Sequence, residues 1–110
     1  MKLSTYATIA VLTVAPFLSA PLSAKGANGK SVFREQCAGC HGPDGRAQTD
    51  IARGIQAADV TALPVQQRSD SELQQAVKSG KGKMPPFQGR LSDDQIEAVV
   101  GYLRELGEKH

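Results

Sequence analysis

An all-α fold of three to five short helices is the fold class that this sequence predicts, and three observations predict it. Apolar residues recur at helical spacing in three segments, and no segment alternates apolar and polar residues as a strand would. Each of the three segments begins at a residue type that caps helix N-termini. The stretches between them are rich in glycine and proline, which interrupt regular structure. We therefore expect a small helical domain with long loops.

The first predicted helix runs from about Asn28 to Ala38. Asn28 suits the N-cap because its side-chain oxygen accepts a hydrogen bond from a free backbone N–H group. Val32, Phe33 and Gln36 then fall along one side of the helix. This helix is expected to deliver the two cysteines of the chain at its end.

The second predicted helix opens with a capping box, in which Ser69 and Glu72 each bond the backbone N–H of the other. It stops at Gly80, a residue type common just after a helix. Its apolar face consists of Leu73, Ala76 and Val77.

The third predicted helix has the strongest pattern. Ser92 and Gln95 form another capping box, and two aspartates in the first turn favour the positive end of the helix dipole. The helix is expected to end before Gly107. Its apolar stripe consists of Ile96, Val99, Val100, Leu103 and Leu106.

The remaining stretches are irregular or ambiguous. Residues 41–50 and 80–90 are dense in turn-forming residues. Between Ile51 and Gln67 we expect a short helix from about Gln56 to Ala62, ended by Pro64. Long ordered loops in so small a body call for an internal group around which they fold.

Residues 1–24 have the pattern of a cleaved export signal. A lysine follows the first methionine, residues 6–22 are almost free of charge, and Ala24 is a small residue suited to a cleavage site. The apolar run is shorter than the roughly 20 residues of a membrane-spanning helix, and two prolines interrupt it. We predict cleavage after Ala24, with Ala20 as the alternative, and a single periplasmic domain over residues 25–110.

Composition limits both the partners and the core of this domain. The chain has 13 Lys and Arg against 11 Asp and Glu, a balance that argues against nucleic acid as the main partner. It has no tryptophan and only two cysteines. A domain of this size has a thin hydrophobic core and usually needs disulfides, a metal or a cofactor. One disulfide at most is available, so another group is expected to stabilise the domain.

Cys37, Cys40 and His41 form a Cys-x-x-Cys-His motif. A structural zinc ion needs four ligands, so it would require all three residues of the motif and His110, the one other histidine or cysteine in the chain. Zinc is disfavoured, because adjacent residues such as Cys40 and His41 rarely bind one ion together. A thioredoxin-like redox pair would begin a helix after a strand, whereas these cysteines come late in a predicted helix with no strand before it. A local disulfide would close too short a loop to stabilise the domain much. The same motif is the signature of haem attachment, in which the two thiols bond the porphyrin and the histidine binds the iron. We predict one covalently bound haem c.

Met84 is the predicted second axial ligand. It is the one methionine outside the predicted signal, and a thioether opposite a histidine fills the sixth position and raises the reduction potential. Pro85 and Pro86 stiffen the loop behind it. The alternatives are that Met84 fills a gap in the core, or that the terminal His110 is the second ligand. A closed sixth position predicts electron transfer.

Three segments together resemble the small monohaem class I cytochromes c of bacteria: "GKSVFREQ", "CAGCHGPDG" and "GKMPPFQGRLSDDQIEAVVGYLREL". The part from Met84 to Leu106 is also similar to the soluble photosynthetic cytochromes of cyanobacteria and algae. The resemblance is weak between Arg46 and Pro64. It implies a cytochrome c-like domain wrapped around one haem, acting as an electron carrier and not as an enzyme.

The resemblance also implies a crossing of the first and last helices, in which Gly29 and Phe33 meet Val99, Tyr102 and Leu103. Gly29 would otherwise cost about 1 kcal/mol of helix propensity, so a close approach of two backbones explains it.

One feature departs from the family. Its members usually have a proline well beyond the haem histidine, in a region whose carbonyl fixes the imidazole tautomer, whereas this chain has Pro43 and then none until Pro64. A hydrogen-bond partner for His41 is physically expected, but the sequence does not identify it. Arg53 and Arg68 are candidates for the haem propionates by charge alone.

The predicted function is that of a soluble, monomeric, periplasmic one-electron carrier. One alternative is an electron-transfer subunit of a larger oxidoreductase complex. Another is a small haem peroxidase or gas-binding protein, although the sequence offers no distal acid–base pair for peroxide chemistry. Basic residues near Met84 would favour docking to an acidic surface of a redox partner. The alternative is that they are ordinary solvated side chains. They are Lys78, Lys81, Lys83 and Arg90.

Overall fold

A computed structural model describes residues 9–14 and 27–110 of the chain. The predicted signal peptide and its cleavage site lie mostly outside the described residues. Residues 9–14, which belong to that segment, form no helix, and Ile9, Leu12 and Val14 are exposed. Within the described ranges, no helix combines the length and the apolar character needed to cross a membrane.

Six helices make up the described part of the chain, and strands are absent from it apart from two isolated bridges. The all-α prediction is therefore confirmed. The count exceeds three to five because the predicted first helix is broken at Cys37 and the middle region contains two short helices. In chain order they are α1 (Gly29–Gln36), α2 (Ala38–His41), α3 (Asp50–Ile55), α4 (Leu63–Gln66), α5 (Asp70–Ser79) and α6 (Asp93–Glu108).

The predicted N-caps hold in the structure. The Asn28 side chain accepts a hydrogen bond from the Ser31 N–H group at 3.2 Å. Both capping boxes, at Ser69 and Ser92, have their two reciprocal hydrogen bonds. These caps satisfy backbone donors that would otherwise lack a partner in the first turn of each helix.

Helices α1 and α6 cross closely. A Cβ atom added at Gly29 would lie 2.7 Å from the carbonyl carbon of Ala98 and 3.1 Å from the Tyr102 Cβ, so only glycine fits. The Phe33 ring is fully buried and meets the Tyr102 ring at 5.5 Å between centroids, tilted by 59°. The crossing implied by the resemblance is therefore present, with the Ala98 backbone as a further contact.

The core consists of two clusters of buried residues. The larger one lies at the crossing of α1 and α6, and Cys37 and Ala38 pack against it; its members are Val32, Phe33, Val60, Val99, Tyr102, Leu103 and Leu106. The smaller one consists of Val77, Phe87 and Ile96, and Met84 packs against it. Leu91 contacts both clusters.

The prediction of a helix from Gln56 to Ala62 is wrong, because these residues lie between α3 and α4. Helix α3 lies earlier, because the Thr49 side chain caps it by accepting from the Ala52 N–H group at 3.0 Å. It ends at Ile55, and the next residue, Gln56, is left-handed (φ 56°). Pro64 does not end a helix but lies in the first turn of α4, where a missing N–H group costs nothing.

Arg104 on α6 fastens the connection between α4 and α5. Its guanidinium group donates to the Gln66 carbonyl at 2.8 Å, to the Arg68 carbonyl at 2.5 Å and to the Asp70 carboxylate at 3.0 Å. Helix α6 continues through Gly107, contrary to expectation. A Cβ atom there would lie 2.6 Å from the Gln66 Oε1, so this glycine makes room for a side chain.

Candidate functional site

The two cysteines lie where α1 gives way to α2. The Cys37 N–H group donates to the Phe33 carbonyl at 2.9 Å and so completes α1. The Cys37 carbonyl in turn accepts from the N–H groups of Cys40 and His41, at 3.1 and 2.9 Å. The motif therefore folds into one tight helical turn. Both cysteines are free, so the local disulfide gains no support.

Burial, reinforced by the nearby Cys40 thiol, raises the pKa of the Cys37 thiol to about 11. A thiol with so high a pKa is protonated at neutral pH, whereas a redox-active pair needs a lowered pKa to form the attacking thiolate. The thioredoxin-like hypothesis therefore gains no support either. Across residues 9–14 and 27–110, no three His, Cys, Asp or Glu side chains converge as a metal-binding group, so zinc lacks a ligand set there.

His41 has the hydrogen-bond partner that the sequence did not identify. Its Nδ1 atom lies 2.8 Å from the carbonyl oxygen of Ala58. A carbonyl only accepts hydrogen bonds, so Nδ1 carries the proton. In the neutral imidazole Nε2 is then unprotonated, and its lone pair is available to a metal.

A buried turn brings the Ala58 segment next to His41. The Ala47 N–H group donates to the His41 carbonyl at 2.8 Å, and the Val60 N–H group donates to the Gly45 carbonyl at 2.9 Å. Gly45 is left-handed (φ 76°), and a Cβ atom there would lie 2.6 Å from the Val60 Cγ2. Only glycine therefore allows this turn and the 58–60 segment to pack as they do.

Met84 is half-buried in the loop between α5 and α6. It ends a two-residue turn in which Lys81 and Met84 exchange backbone hydrogen bonds of 3.0 and 2.9 Å. Three residues further on, Phe87 is buried and donates its N–H group to the Val77 carbonyl at 3.0 Å. The loop is thus an ordered structure fastened to the end of α5.

The structure places Met84 and the cysteine motif on different parts of the core. Cys37 packs on the cluster at the α1–α6 crossing, and Met84 packs on the cluster between α5 and α6. Leu91 joins the two clusters.

Other residues singled out in the sequence lie elsewhere or are already paired. His110 is exposed beyond the end of α6, on a groove of about 500 Å³ whose lining includes neither His41 nor Met84. Arg53 pairs with Asp50 at 3.2 Å and Arg68 with Glu72 at 3.8 Å. Both propionate candidates thus have a carboxylate of the chain beside them.

Comparison with known proteins gives concordant results. A family model described as cytochrome C oxidase, cbb3-type, subunit III matches residues 24–103. The chain is 39% identical to cytochrome c6 of Leptolyngbya boryana over 86 residues, which is 78% of this chain and 98% of the relative. It is 33% identical to cytochrome c6 of Synechocystis sp. over 88 residues, 80% of this chain and 71% of the relative.

Among solved structures, the chain is similar to the KustC0563 c-type cytochrome. The TM-score is 0.65 and the sequence identity 27%. The match covers 72% of this chain and 96% of that chain.

Proposed function

Since this chain belongs to the cytochrome c family, we propose that it is a soluble, periplasmic one-electron carrier whose haem is ligated by His41 and Met84. Family membership itself makes it an electron-transfer protein with one covalently attached haem c, and not an enzyme. Beyond family membership, we propose which residues hold the haem and in which compartment the protein works. Cys37 and Cys40 form the two thioether bonds.

The observation that carries the proposal is the hydrogen bond from His41 Nδ1 to the Ala58 carbonyl, 2.8 Å long. It holds the proton on Nδ1 and leaves Nε2 unprotonated, with a lone pair available to the metal. This is the tautomer that an iron ligand needs. Two free cysteines in the same helical turn suit thioether formation, because each thiol is available to bond the porphyrin.

The chemistry of the residues fits an electron carrier. The bound haem supplies one-electron redox chemistry. Met84 would close the sixth position with a sulfur atom that favours the ferrous state. The loop around it is fixed by backbone hydrogen bonds, which lowers the rearrangement needed when the charge on the site changes. Export of the domain is supported by the signal-like pattern of residues 1–24.

Absorption spectroscopy of the purified holoprotein tests the proposed ligands. The reduced protein is expected to show the sharp bands of a six-coordinate haem c, and the oxidised protein a weak far-red band from charge transfer between sulfur and iron. Rapid binding of carbon monoxide by the unmodified protein at neutral pH would contradict it, since that requires an open sixth position.

A second candidate function, as a subunit of a larger oxidoreductase, is favoured by the description of the matching family model. A basic rim beside Met84 would serve either role by attracting an acidic partner. Lys78 contributes little to it, because its Nζ lies 3.4 Å from the Asp93 carboxylate. Lys81 and Lys83 are exposed and form no ion pair within the described residues. Arg90 is also exposed and takes part in none of the ion pairs of the described residues. The rim therefore consists chiefly of Lys81, Lys83 and Arg90.

We expect Lys81→Glu to slow oxidation by an anionic oxidant, ferricyanide, several-fold at low salt, and to speed oxidation by a cationic cobalt complex. The reason is that electrostatic steering depends on the charge nearest the haem edge. Stopped-flow rates at low and high ionic strength measure the effect, which salt should remove. Lys109→Glu is the matched control, because it lies at the far end of the 16-residue α6. Equal effects of the two variants would contradict a local rim.

Ionic strength also separates the two candidate roles. Co-purification with other proteins through high salt supports a permanent subunit, because a large interface survives screening. A protein that purifies alone, with rates that fall steeply as salt rises, supports a transient shuttle.

A further inference from the structure

We propose that Gly80 is a positioning residue for Met84, because its lack of a side chain lets the Met84–Pro86 backbone lie directly on the end of α5. The inference rests on the proposed function, in which Met84 is the axial ligand. Gly80 acts through the backbone that carries the methionine, which lies directly against it.

The space beside Gly80 is filled by backbone atoms. A Cβ atom there would lie 2.5 Å from the Met84 carbonyl oxygen and 2.8 Å from both the Pro85 carbonyl carbon and the Pro86 nitrogen. Backbone atoms, unlike the end of a flexible side chain, cannot rotate out of the way. The loop would have to move until these contacts reach ordinary van der Waals separations of 3.4 Å or more.

The neighbouring hydrogen bonds decide which side moves. Gly80 itself is held by its N–H group, which donates to the Ala76 carbonyl at 2.9 Å in the last turn of α5. Beyond the methionine, the chain is fastened again where the Gln88 N–H group donates to the Lys78 carbonyl at 3.2 Å. Met84 exchanges its backbone hydrogen bonds with Lys81 of the same loop, so the turn and the 84–86 segment must move outwards together, and the Met84 side chain moves with them.

A second glycine in the same loop provides a matched control. Gly82 is also left-handed (φ 58°, against 72° for Gly80), and its position at the start of the two-residue turn suits a type II′ geometry. A Cβ atom at Gly82 would meet nothing within 4 Å. Alanine at either position therefore carries the backbone strain of a positive φ, but only at Gly80 does it collide with the segment that bears Met84.

The test compares holoproteins of Gly80→Ala, Gly82→Ala and Met84→Ala by far-red absorption and carbon monoxide binding at neutral pH. Gly80→Ala is expected to lose most of the far-red band and to bind carbon monoxide, as Met84→Ala does. Gly82→Ala should keep the band and exclude carbon monoxide, even if both glycine variants lose similar unfolding free energy. Such a split separates ligand positioning from general stability.

The outcomes distinguish the inference from the function on which it rests. If Met84→Ala loses the band but Gly80→Ala matches Gly82→Ala, the positioning role is overturned and the ligand stands. If Met84→Ala keeps the band, the ligand assignment itself fails.

If Gly80→Ala yields no holoprotein, amide hydrogen exchange on the unmodified protein tests the same inference. The Lys81 and Met84 N–H groups, which bond each other's carbonyls, should exchange far more slowly than that of Lys83. Equal exchange at these positions would overturn the proposal, because the turn pressed on Gly80 would not be fixed.

Discussion

Replacing Met84 by alanine is expected to abolish the far-red band of the oxidised protein and to let carbon monoxide bind the reduced protein. The reduction potential should fall by on the order of 0.2 V, within the range of about 0.8 V that axial ligands span. The physical reason is that, in the proposed ligation, the thioether would both fill the sixth position and favour the ferrous iron over the ferric. Spectra and a redox titration of the holoprotein measure these changes.

The Met84→Ala variant also separates an electron carrier from a peroxidase. Peroxide turnover should be low in the unmodified protein and rise once the sixth position is open. Met84→His serves as the control, because a second imidazole closes the position again without a sulfur–iron band. An unchanged spectrum in Met84→Ala would contradict the ligand assignment.

Replacing Phe33 by alanine is expected to lower the unfolding free energy of the holoprotein by about 3–5 kcal/mol. The Phe33 ring is fully buried at the α1–α6 crossing, against Tyr102. Its removal leaves a cavity that closely packed neighbours fill only in part. Small domains have only about 5–15 kcal/mol of stability in total, so this is a large share. Denaturant unfolding, followed by circular dichroism, measures it.

Two further variants locate the effect. Phe33→Leu keeps most of the buried volume and should cost clearly less than Phe33→Ala. Phe87→Ala removes a buried ring from the cluster on which Met84 packs, so it should weaken the far-red band as well as the stability. In Phe33→Ala the band should persist while the protein is folded. A loss for Phe33→Ala no larger than the roughly 0.5 kcal/mol of a surface substitution would contradict the central role of this crossing.

Local signals in the sequence predicted the best-defined helices. The capping boxes at Ser69 and Ser92 are each complete within four residues, so their signal can be read from a short stretch of sequence. The middle region failed for the opposite reason. Pro64 was interpreted as the end of a helix, although proline suits the first turn of one equally well, and only the packing of the chain decides between the two.

The candidate site was predictable where it depends on side chains. Cys37, Cys40, His41 and Met84 were singled out by residue type and spacing, and their role as haem ligands stays a prediction. The Ala58 carbonyl could not be found in this way, because every residue has a carbonyl group and this one lies 17 positions from His41. Its place is set by buried turns around Gly45.

Glycines show the same limit. Gly80 was interpreted as a helix end, which is correct, yet its lack of a Cβ atom matters also for the loop that packs on it. Gly107 was interpreted in the same way and lies inside α6, where it makes room for Gln66. In a sequence, a glycine that ends a helix looks the same as one that allows a close contact.

Mass spectrometry of the exported holoprotein tests most directly whether Cys37 and Cys40 carry the haem. We predict a mass equal to the processed polypeptide plus one haem, unchanged by acid–acetone extraction, with the added mass on the proteolytic fragment that contains both cysteines. A folded protein with the mass of the polypeptide alone, and two thiols that react with an alkylating reagent after unfolding, would contradict the account.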